Sequence, residues 1–171
     1  MLTKNFYSYM RAALKNKSAK FTKTDGTTET ISLSNDSPPF VIMQYWTASV
    51  DSGGVSFGTG TTPADISDYY LESILDSEKI GVATPSAVSF SQFDTYEEHS
   101  VTFGITNKTA EAITISEVGL AAVPYYRSSG TSVRKCVLVD RTVLDTPVTI
   151  PAEQSKQITY TIRFNYGDAA T

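Results

Sequence analysis

Hydrophobic residues recur at two different periods along this chain, and the first period is helical. Between residues 3 and 14 they recur every three or four positions, which is the spacing of one face of an α-helix. Thr3 stands where its side-chain oxygen would accept a hydrogen bond from the first helical turn. The pattern predicts an amphipathic helix whose apolar stripe contains Phe6, Tyr9, Met10, Ala13 and Leu14.

From Ser18 onward apolar and polar residues alternate, which is the pattern of half-buried β-strands. Asp25-Gly26 separates the first two runs, and this dipeptide between alternating segments is a strong hairpin signal. Pro38-Pro39 cannot donate to a strand ladder and therefore ends the pairing. These signals predict two units, a helix-plus-hairpin arm over residues 1–38 and a β core over residues 39–171.

The core reads as many short strands. Residues 40–47 are almost all apolar, which is typical of a strand buried on both faces, and residues 157–166 show the clearest alternation in the chain. One short helix is expected after Pro63, with Asp65 in its first turn. Further strands are expected around Val55 and over residues 82–95, 99–106, 112–123, 133–139 and 147–150.

No helix of crossover length separates these strands, which disfavours parallel pairing. Turn signals recur about every 8 to 12 residues, the spacing of sandwich folds. The predicted fold is therefore mainly β, an antiparallel β-sandwich of jelly-roll or Ig-like type preceded by the amphipathic helix and the hairpin.

Composition and charge exclude several functional classes. The 171 residues include 14 basic and 18 acidic side chains, a formal net charge of −4, which is opposite to what a nucleic-acid partner requires. No apolar run approaches the length of a transmembrane helix, and the N-terminal residues lack the apolar region of a secretory signal. Cys136 is the single cysteine, so an internal disulfide and a thiolate metal cage are excluded. We expect neither a nucleic-acid nor a membrane partner.

Candidate catalytic chemistry is sparse. His99 is the single histidine, and Glu97 lies two residues before it on the same strand face, where a carboxylate would orient the imidazole. This is half of an acid–base arrangement, and an exposed polar strand end is the favoured interpretation. No G-x-S-x-G elbow accompanies it, so we expect a protein that is not an enzyme.

Two further patterns resemble ligand sites. Residues 58–62 form a glycine-rich loop, but the lysine that reaches phosphates in a P-loop does not follow, which favours a surface loop. Asp51, Asp65, Asp68 and Asp76 offer oxygen ligands without the spacing of a calcium loop, and a helical first turn explains Asp65 and Asp68 better. No cofactor or metal site is expected, and Cys136 is expected to be a structural thiol.

Two sets of aromatic residues are candidate assembly contacts. The stripe of Phe6, Tyr9, Met10 and Leu14 would either close one end of its own domain or dock on a neighbouring subunit. The pair Tyr125-Tyr126 would either anchor a partner from a loop or divide, with one ring packed inward and one outward.

Several stretches, taken in order, resemble small structural proteins of tailed bacteriophages, of tail or neck type. They are FGTGTTPADISDYYLES at residues 57–73, ITISEVGL at 113–120, LVDRTVLDTPVTI at 138–150 and QITYTIRF at 157–164. The resemblance spans roughly residues 55–165 and leaves the arm uncovered.

The resemblance implies a non-enzymatic virion component, a subunit of the neck, tail or capsid surface, made in the bacterial host cytoplasm. Its partners would be other copies of itself and other virion proteins, and it would form a homo-oligomer, since virion components usually assemble as closed symmetric sets. The alternative is a β-sandwich module that recognises a host-surface glycan or protein through loops near residues 53–68 and 125–130.

Overall fold

A computed structural model describes residues 1–15, 18–32, 54–83, 87–122, 125–128, 131–134 and 136–165. Within these residues the chain forms one helix, α1 (Lys4–Lys15), and eleven strands. The strands are β1 (Ser18–Thr22), β2 (Thr28–Ser32), β3 (Gly54–Gly58), β4 (Ile80–Val82), β5 (Ala87–Gln92), β6 (Tyr96–Asn107), β7 (Ile113–Ala122), β8 (Tyr125–Ser128), β9 (Thr131–Arg134), β10 (Val137–Ile150) and β11 (Ser155–Asn165).

The strands form antiparallel sheets that pack as a β-sandwich, as the sequence predicted. One sheet has the strand order β10-β7-β3, and the other has the order β11-β6-β4 with β5 also paired to β6. The rings of Phe57 and Phe103 meet edge to face across the interior, with centroids 6.0 Å apart. The alternation in β6 and β11 is confirmed, because Val101, Ile105 and Ile158 point into the same core as these rings.

The N-terminal helix and hairpin share this core. Tyr9 of α1, Phe21 of β1 and Ile31 of β2 are all buried in the same hydrophobic cluster as the sandwich residues. The hairpin turns at Asp25-Gly26 as predicted, with Gly26 at φ +80°, a conformation that glycine adopts without steric cost. The boundary predicted at residues 38 and 39, and the strand predicted over residues 40–47, lie outside the described residues.

The start of α1 is held by neighbouring segments of the chain. The hydroxyl of Thr3 donates to the carbonyl of Leu138 at 2.6 Å, and the amide of Lys4 donates to the carbonyl of Ile66 at 2.8 Å. The helix entry is therefore tied to β10 and to the segment after β3, two places that helix propensity alone does not indicate.

The short helix expected after Pro63 was wrong. The segment instead makes tight turns, in which the carboxylate of Asp65 accepts from the amide of Ser67 at 2.8 Å. Its far end pairs with β3, since Thr59 donates to the carbonyl of Ser73 and Leu75 donates to that of Phe57, both at 2.8 Å. Within the expected helix itself, the carbonyl of Ile66 accepts from the amide of Lys4, and the amide of Asp65 donates to the Asp68 carboxylate at 2.9 Å.

The strands predicted over residues 133–139 and 147–150 were also wrong in extent. β9 ends at Arg134, and β10 runs without interruption from Val137 to Ile150. Register shifts against β7, between Leu138 and Asp140 and between Val143 and Val148, let one long strand absorb the extra residues. Pro147 lies within the second shift, where the missing amide costs no ladder hydrogen bond.

Candidate functional site

The segment between β3 and β4 covers the outer face of the three-stranded sheet. Phe57 and Val118 of this sheet point into the sandwich core, so the alternate residues Glu117 and Gly119 point to the opposite face. Gly119 has no side chain there, and Leu71 of the covering segment fills the space: a Cβ on Gly119 would lie 2.7 Å from the Leu71 Cδ2 atom.

Beneath this segment lies a buried ion pair. The Arg141 Nε atom donates to Glu117 Oε2 at 2.8 Å, and the two side chains are only 4% and 0% exposed. The sheet positions both groups, because Arg141 lies opposite Gly119 and Glu117 lies two residues before Gly119 on the same face. Charges this buried are stable only when they are paired and hydrogen-bonded.

The Glu117 carboxylate is also the anchor for the covering backbone. Its Oε1 atom accepts from the amide of Gly60 at 3.2 Å and from that of Ser73 at 2.7 Å, and its Oε2 atom accepts from the amide of Glu72 at 3.1 Å. Three amides that belong to a loop are thus satisfied by one side chain from β7.

Arg141 completes the arrangement from the other direction. Its Nη1 atom donates to Asp68 Oδ2 at 2.9 Å, and its Nη2 atom lies 3.4 Å from Glu72 Oε2. We call Asp68, Glu72, Glu117 and Arg141 the clasp. It is one buried cation surrounded by three carboxylates, and it fixes both halves of the covering segment to the sheet.

Hydrogen bonds within the clasp and from the neighbouring Thr62 shift two pKa values. Burial opposes the charge of Arg141, but hydrogen bonds to Asp68 and Glu117 outweigh burial and raise the pKa of the guanidinium. Hydrogen bonds from the amide and hydroxyl of Thr62, at 2.9 and 2.8 Å, hold the pKa of Glu72 below its ordinary value. Both shifts favour the charged forms that the clasp requires.

The Glu72 shift predicts an acid-sensitive contribution to stability. Because the folded state lowers the pKa of this carboxyl, its contribution is present above the ordinary glutamate pKa of about 4.3 and is lost as the pH falls through the folded value. Glu72→Gln is therefore expected to be less stable than the wild type at pH 7, with the difference shrinking as the pH is lowered below about 4. Urea unfolding midpoints across this range measure it, and a difference that stayed constant with pH would contradict the assignment.

The clasp was not predicted from the sequence, although all four of its residues lie in the motif stretches. Asp68 and Glu72 lie in the first stretch, Glu117 in the second and Arg141 in the third. Glu117 and Arg141 each interrupt or border an apolar run, which is unusual for a strand packed on both faces. The stretches are far apart in the chain, and only strand register shows that their charged residues meet.

A second buried polar group lies at the start of β10. The phenol of Tyr160 donates to Asp140 Oδ2, Thr142 donates to the same oxygen at 3.1 Å, and the amino group of Met1 lies 3.1 Å from Asp140 Oδ1. Burial, followed by the Asp140 charge, raises the pKa of Tyr160 well above its ordinary value. The Tyr160 phenol is thus kept neutral as a hydrogen-bond donor that joins the two sheets.

The shared strand face expected for Glu97 and His99 is confirmed, but the favoured interpretation of an exposed polar strand end was wrong, since these side chains are only 34% and 21% exposed. The two side chains share a face of β6, and the His99 Nε2 atom hydrogen-bonds to Glu97 Oε1. The imidazole lies between two phenylalanine rings, Phe90 at 4.8 Å and Phe164 at 5.2 Å between centroids, and its Nδ1 atom is buried without a hydrogen-bond partner. The carboxylate orients the ring, and the aromatic neighbours make its surroundings largely apolar.

The residues expected to form assembly contacts differ in how deeply they are buried in the chain's own core. Tyr9 is 3% exposed within the chain's own core, and Phe6 is partly buried against that core. Met10 is half-buried. In this structure α1 thus closes its own domain, and docking on a neighbour would require it to leave this position. The side chains of Leu14, Tyr125 and Tyr126 are outside what the structure describes. For β8, which contains the two tyrosines, the structure describes the backbone pairing with β9.

A pocket of about 440 Å³ lies between the hairpin turn and the covering segment. Thr24 and Asp25 line one side, and the segment from Ser67 to Glu72 lines the other. Tyr69 and Tyr70 are 43% and 37% exposed at this place. The pocket therefore combines hydroxyl and carboxylate groups with two aromatic rings that solvent reaches.

Comparison of the chain with protein-family models, with curated proteins and with solved structures finds no match in any of the three. Among the described residues no group of three or more histidine, cysteine or acidic side chains is placed to hold a metal ion. In the same part of the chain no helix is both long enough and apolar enough to span a membrane.

Proposed function

We propose that this protein is a non-enzymatic structural component of a bacteriophage virion, a subunit of the neck, tail or capsid surface. It packs on copies of itself or on other virion proteins. The observation that carries the proposal is the clasp. Residues from three of the stretches that resemble phage structural proteins meet in this one cluster, where each has a hydrogen-bonding role in the fold.

The chemistry of the clasp supports a structural role. Arg141 and Glu117 direct their hydrogen bonds at each other and at the covering segment, and both are almost fully buried. A network satisfied in this way makes a loop rigid and gives it a single conformation. Fixed surface loops suit a subunit that must repeat the same contact in every copy of an assembly.

A second candidate function is recognition of a host-surface glycan, and the pocket beside Tyr69 and Tyr70 favours it. Exposed tyrosine rings provide contact area at low conformational cost, and the neighbouring Asp25 and Ser67 offer acceptors and donors for sugar hydroxyls. The pocket also overlaps the loop region that the sequence analysis assigned to such recognition.

Mass measurement of the purified full chain over a range of concentrations separates the two functions. A structural subunit is expected to form a species of fixed stoichiometry, alone or with proteins encoded beside it. A recognition module is expected to bind bacterial cells or immobilised glycans as a monomer. A monomer that associates with none of these partners would contradict both proposals.

Matched variants make the second function testable. Tyr69→Ala is expected to abolish glycan or cell binding if the pocket is the site. Phe93→Ala is the control, because Phe93 is exposed to the same degree, 44% against 43%, but belongs to the turn between β5 and β6. Equal binding by both variants would rule out the pocket.

A further inference from the structure

The strand β5 has one unpaired edge. It pairs with β6 from Ala87 opposite Thr102 to Gln92 opposite Glu97, and no other strand among the described residues pairs with it. The backbone amides and carbonyls on its other edge can therefore accept a further strand. Exposed edges of this kind are templates for pairing with another chain unless the sequence protects them.

The sequence of β5 lacks the usual protection. Its six residues, AVSFSQ, include no charged side chain, no proline and no glycine. The strand β11, at the opposite end of the same sheet, carries Lys156 and Arg163. Charged side chains discourage edge pairing, so β5 resists a partner strand less than β11 does.

An exposed aromatic ring lies in the middle of this edge. Phe90 is 65% exposed, the largest fraction among the large hydrophobic side chains that the structure describes. It lies opposite His99 on the sheet face that continues from the core residues Val101 and Phe103. Aromatic residues at such positions are typical anchors of protein interfaces.

We propose that β5 pairs antiparallel with β5 of a second copy, about a two-fold axis at Phe90. This inference rests on the proposed self-assembling role and identifies its contact. In this register Phe90 lies opposite Phe90 of the second copy, and Ser89 lies opposite Ser91. The strand is thus complementary to itself, with apolar rings together on one face, hydroxyl groups together on the other, and no like charges in contact.

The pairing continues the sheet from one copy into the next. In each copy the order β11-β6-β5 ends at the proposed junction, so the two copies form one continuous sheet with four strands from each copy. Two-fold contacts between identical surfaces are the commonest contact between copies of a protein. The ring of Phe90 is exposed in the single chain and is covered at the two-fold axis by Phe90 of the second copy.

Cross-linking through cysteine tests the register. In Phe90→Cys, the two Cα atoms at the axis would be about 4.5–5.5 Å apart, which a disulfide spans. In Gln92→Cys, the two cysteines would be displaced by four residues along the strand, about 13 Å, which a disulfide does not span. Mild oxidation is expected to give a covalent dimer of the first variant and not of the second. Cys136 is present in both variants and in the wild type, so its contribution is measured directly.

Substitution with lysine tests the affinity. Phe90→Lys places two charges together at the axis, and loss of an anchor residue is expected to weaken dimerisation about 30-fold or more. Ile66→Lys, a substitution of a 44% exposed residue outside β5 and outside the residues that this register pairs with it, is the control and is expected to dimerise like the wild type. Sedimentation equilibrium measures both dissociation constants, and circular dichroism shows whether each variant retains the fold.

The outcomes separate this inference from the proposed function. If the wild type self-associates but Phe90→Cys cross-links no better than Gln92→Cys, the β5 contact is wrong and the structural role stands. A second outcome concerns a Phe90→Cys chain that is monomeric. If its new thiol fails to react with a small maleimide reagent, another segment of the same chain covers this edge, and the inference is overturned. If the wild type associates neither with itself nor with any other protein, the proposed function fails too.

Discussion

Replacing Arg141 with methionine is expected to lower the free energy of unfolding by about 3–5 kcal/mol, the cost of removing one partner of a buried ion pair. Methionine retains much of the volume but leaves Glu117 fully buried without its cation. The substitution also removes the hydrogen bond to Asp68, so the covering segment loses one of its attachments to the sheet. Urea unfolding of wild type and variant measures the loss.

An exposed ion pair provides the matched control. Arg163 also donates two hydrogen bonds to a carboxylate, that of Glu98, but its side chain is 54% exposed. Solvent screens this pair, so Arg163→Met is expected to cost far less than Arg141→Met. Equal losses for the two arginine variants would show that burial of the clasp contributes nothing.

A double-mutant cycle isolates the contact between Arg141 and Glu117. Glu117→Gln alone is also expected to be destabilising, because Arg141 keeps Asp68 and Glu72 as partners but one acceptor oxygen becomes an NH2 group that faces N–H donors. The free energy of unfolding is expected to fall less in the double variant than the sum of the two single losses. In the double variant both charges are removed, so neither is left buried without its partner. Strict additivity would contradict a direct interaction.

Replacing Gly58 with alanine is expected to cost about 1–3 kcal/mol, the usual penalty for overpacking a filled interior. A Cβ at this position would lie 2.6 Å from the carbonyl oxygen of Ser73 and 2.8 Å from Glu117 Cγ. The carbonyl belongs to backbone paired with β3, so it cannot move aside as a flexible side chain would. The variant is expected to loosen the edge pairing that holds the covering segment.

Gly104→Ala is the control for this substitution. Gly104 also lies in a β-strand, but its added Cβ would meet only the Ala83 Cβ at 3.5 Å, an ordinary contact. We expect a change within about 0.5 kcal/mol. Hydrogen exchange over residues 59–79 gives a second measurement, in which faster exchange in Gly58→Ala than in Gly104→Ala locates the loss. Equal exchange in the two variants would argue against a tight contact at Gly58.

Much of the fold could be predicted from patterns of residues within short stretches of the sequence. The alternation of Ile158 and Tyr160 with polar neighbours, the helical spacing of Phe6 and Tyr9, and the Asp25-Gly26 turn each act over a few residues. A sequence records such local preferences directly, because the side-chain period follows from backbone geometry. The helix expected after Pro63 did not form because its polar backbone groups have other partners: the amide of Ser67 donates to the Asp65 carboxylate, and the carbonyl of Ile66 accepts from the amide of Lys4.

The amino-acid sequence by itself determined the mainly β composition, the antiparallel pairing, the N-terminal helix and the hairpin, since each depends on periods and turn residues within short windows. The tertiary structure alone decided that Glu117 and Arg141 form a buried pair, that Asp68 and Glu72 join them, and that β6 is the one strand paired with β5 among the described residues. These features depend on strand register between segments far apart in the chain, and register is fixed only when the whole core packs.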